Sequence, residues 1–202
     1  MQTRIFLVRH GQTEWNVQRR LQGHQNSPLT AAVKNQAQNI RHALQKISFH
    51  RAYVSPLRRA RQTLDIIVAG KNIKVMQAEG LKEIRLGVWE GKTREQTKES
   101  HPEQYVNFWH QQEKFTLQGA ETFQQLQLRV VHELDTIFCN NKGENILVVS
   151  HWIAIKVALA HYLAVPLNQL SSIADPGNGS FMVLKQDEDG GVTLKAEPCH
   201  NV

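Results

Sequence analysis

Residues 145–151 read NILVVSH, an apolar run that stops at two polar side chains. Apolar runs of this length are too short for most helices and are typical of strands that are buried on both faces of a sheet. Two further runs have the same form, because residues 4–8 lead into the polar loop RHG and residues 52–54 lead into the loop SPLRR. The repeated pattern predicts three buried strands, each followed by a polar loop.

Segments with the spacing of amphipathic helices lie between these strands. In the first, apolar residues recur every three or four positions from Val33 to Ile47 and give one apolar face. Thr30 is predicted to be the N-cap of this helix, and Ser55 and Pro56 are predicted to open the next one, because both residue types favour helix starts. The same spacing predicts further helices, which cover residues 123–137 and 152–163.

The remaining segments are less regular. A further strand is expected at residues 73–76, and residues 181–184 and 192–194 are expected to form a terminal hairpin around a glycine-containing turn. Residues 105–115 are rich in aromatic side chains and are expected to be mobile. Strands that alternate with helices predict an α/β fold, a three-layer sandwich whose mostly parallel central sheet has helices on both faces.

Length and composition predict one globular domain that spans residues 1–202. The chain is 41% hydrophobic and 21% charged, and a chain of this length buries enough apolar surface to fold without disulfides. No apolar stretch approaches the about 20 residues of a membrane helix, and the N-terminus lacks the apolar core of a secretory signal. Cys139 and Cys199 form no metal-binding or disulfide pattern. We therefore expect a cytoplasmic protein that does not bind a membrane.

The chain is basic, with a formal net charge of +6. This excess favours an anionic partner such as a nucleic acid, a membrane surface or a phosphorylated metabolite. The runs Arg19-Arg20 and Arg58-Arg59 are basic, but the sequence contains no known nucleic-acid-binding motif. We therefore expect a small phosphorylated substrate as the partner, and no nucleic acid.

Polar side chains follow the predicted strands at the points where the strands end. Arg9 and His10 follow the first strand, Ser55 follows the second, and His151 follows the clearest strand. Because the carboxyl ends of parallel strands meet at one edge of a sheet, we expect two histidines and several arginines to share a cleft. Arginine offers a planar fork of donors for a phosphate dianion, and histidine can act as a nucleophile, base or donor. Glu83, on the loop after the 73–76 strand, is a candidate to protonate a leaving oxygen.

Five clusters of residues, in a fixed order along the chain, resemble a known family. They are RHGQTEWN at 9–16, RLQG with SPLT within 20–30, SPLRRARQT at 55–63, LKE with GVWEG within 81–91, and GAE, Arg129 and VVSH within 119–151. Together they resemble the histidine phosphatase superfamily, also called the phosphoglycerate mutase-like family. The similarity is greatest to the phosphatase branch, which includes the small α-ribazole phosphatases and broad-specificity bacterial phosphatases. The resemblance extends from residue 4 to about residue 156.

The resemblance implies a catalytic role for five residues of the expected cleft. His10 would take the phosphoryl group on a ring nitrogen, while Arg9 and Arg59 hold the phosphate. His151 would hold the transferring oxygens. Glu83 would act as the general acid and then as the base for the attacking water. Arginine donors suit this reaction because they stabilise the charge on the equatorial phosphoryl oxygens.

Four further residues are candidates for substrate or phosphate binding. Asn16 is implied to donate a hydrogen bond to the phosphate, and Gln22 and Gly23 to line the cleft, although a simple turn explains that pair equally well. Trp152 stands where many family members have glycine, and its bulk is expected to narrow the pocket or to stack on a substrate. Val33 is the second difference from the family, whose members often have glycine in this first helix, and we expect it to affect packing only.

The combined prediction is a metal-independent phosphomonoesterase that acts on a small phosphorylated metabolite through a phosphohistidine at His10. Neither a metal ion nor a cofactor is expected, because arginines and histidines supply the positive charge. The neighbouring arginines are expected to lower the pKa of His10 by repulsion of like charges, so that it is neutral for attack on phosphorus.

Two other functions stay open at this stage. A cofactor-dependent phosphoglycerate mutase, an isomerase, would use the same residues. However, residues 92–118, an expected lid-like insertion, are fewer than the insertion that closes the site in family mutases, and a site open to water favours hydrolysis. A non-catalytic basic protein that binds nucleic acid is the more remote alternative, and steep salt dependence of binding would support it. The sequence leaves the oligomeric state open between a monomer and a homodimer.

Overall fold

The computed structural model describes residues 2–195, in which six strands form one sheet. The strands are β1 (Thr3–Arg9), β2 (Arg51–Val54), β3 (Lys74–Gln77), β4 (Asn145–Ser150), β5 (Phe181–Gln186) and β6 (Val192–Lys195). Their order in the sheet is β3-β2-β4-β1-β5-β6. The pairs among β3, β2, β4 and β1 are parallel, whereas β5 and β6 complete the sheet as an antiparallel hairpin.

The central strand β4 lies between β1 and β2 and aligns their carboxyl ends. Val149 of β4 is opposite Val8 on one side and Val54 on the other. Directly beyond this row, the backbone N–H of His10 donates to the carbonyl of Ser150 at 3.0 Å. The polar loops after the three strands therefore leave the sheet side by side, as the sequence predicts.

Helices cover both faces of the sheet. They are α1 (Glu14–Val17), α2 (Ala32–Ala43), α3 (Arg58–Ile67), α4 (Arg94–Ser100), α5 (Pro102–His110), α6 (Phe123–Asn140) and α7 (Trp152–Tyr162). Short 3-10 helices occur at Glu79–Leu81, Gly87–Trp89, Gln112–Lys114 and Leu167–Ser172. No helix within residues 2–195 is long and apolar enough to cross a membrane.

Alternate residues of β1 face opposite layers of the molecule. Ile5 and Leu7 pack in the core that includes α6 and α7, whereas Phe6 and Val8 pack in the core that includes α2 and α3. All four are buried. A strand covered on both faces needs apolar residues at consecutive positions, which explains the unbroken runs in the sequence. The predicted three-layer sandwich with a mostly parallel sheet is confirmed.

Two predicted helix starts are wrong. The N-cap of α2 is Ala31 rather than Thr30, because the Thr30 hydroxyl donates to Oε1 of Gln12 at 3.0 Å. The helix α3 begins at Arg58 rather than beside Ser55, since the hydroxyl of Ser55 accepts the backbone N–H of Leu57 at 3.3 Å within the preceding turn. In both cases a contact made by the loop side chain displaced the expected cap.

The prediction of a mobile aromatic segment at residues 105–115 is also wrong. The segment forms α5 and a 3-10 helix, and Phe108 at its centre is only 2% exposed. The centroid of the Phe108 ring lies 5.0 to 5.6 Å from the ring centroids of Trp89, Trp109, Phe115 and Phe123, in edge-to-face contacts. Edge-to-face packing of this kind holds a cluster of rings in one arrangement.

The structure answers two other expectations, on residues 92–118 and on the cysteines, only in part. Residues 92–118 fold as α4, α5 and a 3-10 helix, and their role as a lid-like insertion stays a prediction. Cys139 is an exposed free thiol, whereas Cys199 lies outside the described residues.

The aromatic cluster predicts a large effect of Phe108→Ala on stability. Removing the central ring of a packed cluster leaves a cavity, so we expect the free energy of unfolding to fall by about 3–5 kcal/mol in a urea titration. The matched control is Val106→Ala on the same helix, where the side chain is 46% exposed, and its effect should stay within about 0.5 kcal/mol. A loss below about 1 kcal/mol for Phe108→Ala would show that this segment is not part of the cooperative core.

Candidate active site

His10 follows β1 and is held as a neutral imidazole. Its Nδ1 lies 2.7 Å from the carbonyl oxygen of Gly11, which can only accept, so Nδ1 carries the proton. The other nitrogen, Nε2, accepts a hydrogen bond from Nε of Arg59 at 3.3 Å. The lone pair of Nε2 therefore faces the guanidinium group of Arg59 at the carboxyl edge of the sheet.

The surroundings of His10 disfavour its protonated form. Burial lowers its pKa well below the ordinary value of 6.5, and the charges of Arg59 and Arg9 lower it further, against a smaller opposite effect of the Gly11 carbonyl. The sequence predicted this direction, but it named only the arginines. Burial is the larger cause, because the side chain is only 3% exposed.

Arg59, near the start of α3, is the most deeply buried cation of the site, with 1% of its surface exposed. Its Nη1 donates to the carbonyl of Gln25 at 2.7 Å, and its Nη2 donates to the carbonyl of Gly23 at 2.8 Å. Among residues 2–195 it forms no ion pair with a carboxylate. Burial lowers the pKa of Arg59 to about 10, so the group keeps its charge at neutral pH.

Arg9, the last residue of β1, presents a second cation to the same space. Its Nη1 donates to the carbonyl of Pro176 at 2.7 Å, whereas its Nε is buried and has no hydrogen-bond partner within the described part of the chain. Burial lowers the pKa of Arg9 to about 10, against the opposite effects of Glu83 and Asp175. An anion between Arg9 and Arg59 would meet two charged groups that are only partly satisfied.

His151 follows β4 and lies beside His10, with 5.1 Å between the ring centroids. It is fully buried, and its Nε2 is 2.7 Å from the hydroxyl of Ser55. Its Nδ1 is buried without a hydrogen-bond partner among residues 2–195. Burial, followed by the charge of Arg59, lowers the pKa of His151 well below its ordinary value.

Glu83 is nearly buried, and both of its carboxylate oxygens face the start of α7. Oε1 accepts the backbone N–H groups of Ile84 at 3.0 Å and Ala154 at 3.1 Å, and Oε2 accepts that of Ile153 at 3.2 Å. The side chain therefore satisfies two of the N–H groups that a helix start leaves unpaired. This anchoring of Glu83 was not predicted from the sequence.

Arg129 of α6 fixes the loop that carries Glu83. Its guanidinium donates to the carbonyls of Gly80 and Lys82, both at 2.8 Å, and to that of Glu83 at 2.9 Å. It also forms a two-pronged ion pair with Glu121, at 2.6 and 2.7 Å. No role for Arg129 was predicted from the sequence, because its carbonyl partners lie more than 45 positions away along the chain.

Asn16 and Gln22 form the wall opposite the sheet edge. Oδ1 of Asn16 accepts the N–H of Thr13 at 3.0 Å and Nδ2 of Asn178 at 3.3 Å, which leaves its own amide N–H groups for a ligand. Gln22 donates to the Thr13 hydroxyl at 2.8 Å, and its buried Oε1 has no partner in the described chain. Asn178, which also donates to the carbonyl of His10 at 3.1 Å, was missed in the sequence, since nothing local marks it.

A cavity of about 330 Å³ collects most of the predicted site residues. His151 is the exception, because it does not line the cavity and instead lies beside His10, with which its ring is in contact. Within residues 2–195, no group of three or more His, Cys, Asp or Glu side chains is placed to hold a metal ion. The predicted residues that line the cavity are Arg9, His10, Asn16, Gln22, Gly23, Arg59, Glu83 and Trp152.

Val33 has the packing consequence that the sequence predicted. It is 5% exposed, and its Cγ2 occupies the space that a Cβ atom on Gly11 would need. The backbone N–H of Gly11 in turn donates to the hydroxyl of Thr63 at 3.0 Å. The residue after His10 is therefore held between α2 and α3.

Comparison with known proteins gives a family and several relatives. A family model described as histidine phosphatase superfamily (branch 1) matches residues 5–197. Phosphoserine phosphatase 1 of Hydrogenobacter thermophilus is 29% identical over 198 residues, which cover 98% of this chain and 93% of the relative. A probable phosphoglycerate mutase, GpmB, of Escherichia coli is 31% identical over 166 residues, which cover 80% of this chain and 75% of the relative.

Solved structures are similar over almost the whole chain. Bacillus stearothermophilus YhfR superposes with a TM-score of 0.93 at 33% identity, and the match covers 96% of each chain. A putative α-ribazole-5′-phosphate phosphatase of Escherichia coli superposes with a TM-score of 0.86 at 26% identity, over 96% of this chain and 94% of that one. The similarity to the α-ribazole phosphatases is in line with the sequence analysis.

The buried histidines predict a loss of stability in acid. Because the folded pKa values of His10 and His151 lie below the unfolded value, the unfolded chain takes up protons that the folded chain does not. As the pH falls below about 6.5, the free energy of unfolding should decrease by up to about 1.4 kcal/mol per pH unit for each histidine. Urea titrations between about pH 7.5 and pH 5.5 measure this slope.

The matched variants for this slope are His10→Gln and His161→Gln. His161 is exposed near the end of α7, so its replacement should leave the slope unchanged. His10→Gln should remove about half of the contribution of the two buried histidines. Equal slopes for wild type and His10→Gln would contradict the assignment of a depressed pKa.

Proposed function

The chain belongs to the histidine phosphatase superfamily and is a phosphoric monoester hydrolase, and we propose that it cleaves small phosphorylated metabolites without a metal ion, through a phosphohistidine at His10. The observation that carries this proposal is the neutral imidazole of His10, whose Nε2 lone pair lies 3.3 Å from the buried guanidinium of Arg59. A nucleophile and a site for the phosphoryl charge are thus in contact before substrate enters. In keeping with the two cysteines that form no disulfide pattern, we assign the enzyme to the cytoplasm.

In the first step, Nε2 of His10 attacks phosphorus and the bond from phosphorus to the leaving oxygen breaks. The Nδ1–H of His10 stays on the carbonyl of Gly11, which supports the positive charge that develops on the ring. The N–H of Arg59 that pointed at Nε2 is then free to bind a phosphoryl oxygen. Water hydrolyses the phosphohistidine in the second step and regenerates the neutral imidazole.

Arg9 and Arg59 stabilise the charge on the equatorial oxygens of the phosphoryl group. Each is largely removed from water, so its interaction with an anion is stronger than at the protein surface. The free amide N–H groups of Asn16 add a neutral donor from the opposite wall. Removal of one charged donor of this kind costs about 3 kcal/mol of barrier, or about a hundredfold in rate.

In its protonated form, Glu83 supplies the proton to the leaving oxygen, and the carboxylate that results accepts a proton from the attacking water, which restores the acid. This role requires one carboxylate oxygen to turn from α7 toward the cavity that Glu83 lines. Oε2 is the oxygen proposed to turn, because its single bond to the N–H of Ile153, at 3.2 Å, is the longest of the three. Arg129 keeps the Glu83 backbone in place during this turn.

A phosphoglycerate mutase is the second candidate function, which the similarity to a probable mutase of Escherichia coli favours. A mutase must protect the phosphohistidine from water until it returns the phosphoryl group. The cavity opens to solvent beside Arg19 and Arg94, which line it and are themselves exposed. We favour hydrolysis for this reason, and we propose that residues 92–118 do not seal the site. Neither nucleic acid nor a cofactor takes part in the proposed reaction.

The proposal predicts release of p-nitrophenol from p-nitrophenyl phosphate in the presence of EDTA. The variant His10→Ala should lose about a thousandfold or more in kcat, because the group that forms the covalent bond is gone. His161→Ala, at an exposed position on α7, is the matched control and should keep its activity. Trapping of an acid-labile, base-stable phosphoprotein in wild type only would identify the histidine adduct.

Three results would contradict this function. A folded wild type without turnover would exclude a broad phosphatase, and full activity of His10→Ala would exclude His10 as the nucleophile. Loss of activity in EDTA that added metal restores would exclude a metal-independent reaction. An isomerisation assay with a phosphoglycerate on the same sample separates the mutase from a phosphatase of narrow specificity.

A further inference from the structure

The contact between His151 and Ser55 fixes where the proton of the second histidine lies. Nε2 of His151 is 2.7 Å from Oγ of Ser55, and both side chains are fully buried. The same Oγ accepts the backbone N–H of Leu57 at 3.3 Å. Within residues 2–195 the Ser55 hydroxyl has no acceptor for its proton other than Nε2 of His151, so the arrangement that satisfies this buried proton is its donation to Nε2.

A neutral imidazole whose Nε2 accepts a hydrogen bond must carry its proton on Nδ1. Nδ1 of His151 is buried and has no hydrogen-bond partner within residues 2–195. A buried N–H without an acceptor is unfavourable by itself, and an oxygen of a phosphoryl group on His10, whose ring centroid is 5.1 Å from that of His151, would satisfy it. The opposite tautomer would leave a lone pair on Nδ1, which repels a phosphoryl oxygen.

We propose that Ser55 is a positioning residue, which holds His151 as the Nδ1–H tautomer so that this N–H donates to an oxygen of the transferring phosphoryl group. This role rests on the proposed phosphatase function. A hydroxyl has no charge, so it stabilises an imidazolium beside it much less than a carboxylate would. Ser55 therefore keeps His151 as a neutral donor and leaves acid catalysis to Glu83.

The test is a ¹⁵N NMR spectrum of the histidine rings in the full-length protein, with the His151 signals identified by their absence from His151→Gln. In wild type, Nδ1 of His151 should have a protonated, pyrrole-like shift and Nε2 a pyridine-like shift. In Ser55→Ala, the proton should move at least partly to Nε2. The variant should lose about tenfold to a hundredfold in kcat with a smaller change in KM, and Ser55→Thr, which keeps the hydroxyl, should recover most of the loss.

A wild-type His151 that carries its proton on Nε2 would overturn the proposal whatever the activity of the enzyme. So would Ser55→Ala with wild-type kcat. Since the wild-type spectrum needs no variant of Ser55, the proposal stays testable if Ser55→Ala does not fold. An inactive wild type with the Nδ1–H tautomer would contradict the phosphatase function and support the assignment of the tautomer.

A separate observation concerns Trp152, which lies between two cavities. The first is the site cavity, and the second, here called the aromatic pocket, has a volume of about 180 Å³ and is lined in part by Phe108, Trp109 and Phe123. Trp152, with Ile153 and Asp175, lines both. The indole ring therefore forms part of the partition between the phosphate site and an aromatic pocket.

Contacts on several sides hold the ring of Trp152 in this position. Its Nε1 donates to Oδ1 of Asp175 at 3.0 Å, and its ring centroid lies 5.9 Å from that of Trp109. The guanidinium carbon of Arg9 is 5.7 Å from the ring centroid, and Nζ of Lys156 is 5.9 Å from it. Cations at these distances from an indole face are attracted to it.

We infer that Trp152 determines specificity by closing the aromatic pocket to the leaving group, so that one-ring and smaller phosphomonoesters are preferred to two-ring esters. This inference also rests on the proposed phosphatase function. A glycine at this position would join the two cavities and would keep the backbone N–H at the start of α7. The second ring of a naphthyl leaving group would then occupy the aromatic pocket.

The test compares kcat/KM for 1-naphthyl phosphate and p-nitrophenyl phosphate in wild type, Trp152→Gly and Trp152→Phe. The ratio of the two values should rise about tenfold or more in Trp152→Gly and stay within about threefold of wild type in Trp152→Phe, which keeps a ring in the partition. If Trp152→Gly does not fold, Asp175→Ala, which removes the acceptor of the Trp152 Nε1–H, should shift the ratio in the same direction. An unchanged ratio in a folded Trp152→Gly would overturn the inference, whereas a wild type inactive on both esters would contradict the phosphatase function itself.

Discussion

The guanidinium group of Arg59 is a buried positive charge that forms no ion pair with a carboxylate of residues 2–195, and the geometry of the site follows from this constraint. An ionised group removed from water costs several kcal/mol unless its donors are satisfied. In this protein the compensation comes from the carbonyls of Gly23 and Gln25 and from Nε2 of His10. These partners neutralise no charge. The polar loop after α1 is thus wrapped around a cation, and the site attracts an anion before any substrate is bound.

On the other face of the sheet, the guanidinium of Arg129 also binds backbone carbonyls of a loop of the site. Arg129 of α6 collects backbone carbonyls of the loop around Glu83, as Arg59 of α3 does for the loop around Gly23. The difference is that Arg129 is also paired with Glu121, so its charge is compensated and its role is to hold the loop. Between the two layers, the parallel strands fix His10 beside His151. Arg59 is thus available to bind an anion, whereas Arg129 is paired with Glu121 and supports the loop that carries Glu83.

The sequence predicted those parts of the molecule that depend on neighbours along the chain. The buried strands could be predicted because a strand covered on both faces needs an unbroken apolar run. His10 and His151 could be predicted as site residues because each directly follows such a strand. Contacts with distant partners were not predicted, among them those of Arg129 with the Glu83 loop, of Asn178 with His10 and of Ser55 with His151. The same limit explains the errors, since Thr30 contacts Gln12 instead of capping α2, and the 105–115 segment is packed through contacts among rings. Local patterns carry no information about which distant atoms compete for a donor.

The contact between Gly11 and Val33 has a consequence for the evolution of the site. A Cβ atom at position 11 would overlap the valine side chain, so a larger residue beside the nucleophile requires Val33 to move or to be replaced by a smaller residue. The effect of a substitution at position 11 therefore depends on the residue at position 33. A protein with valine at position 33 tolerates fewer residues at position 11 than a protein with glycine there. A residue on a helix, which touches no substrate, thus limits the accessible mutational paths of the catalytic loop.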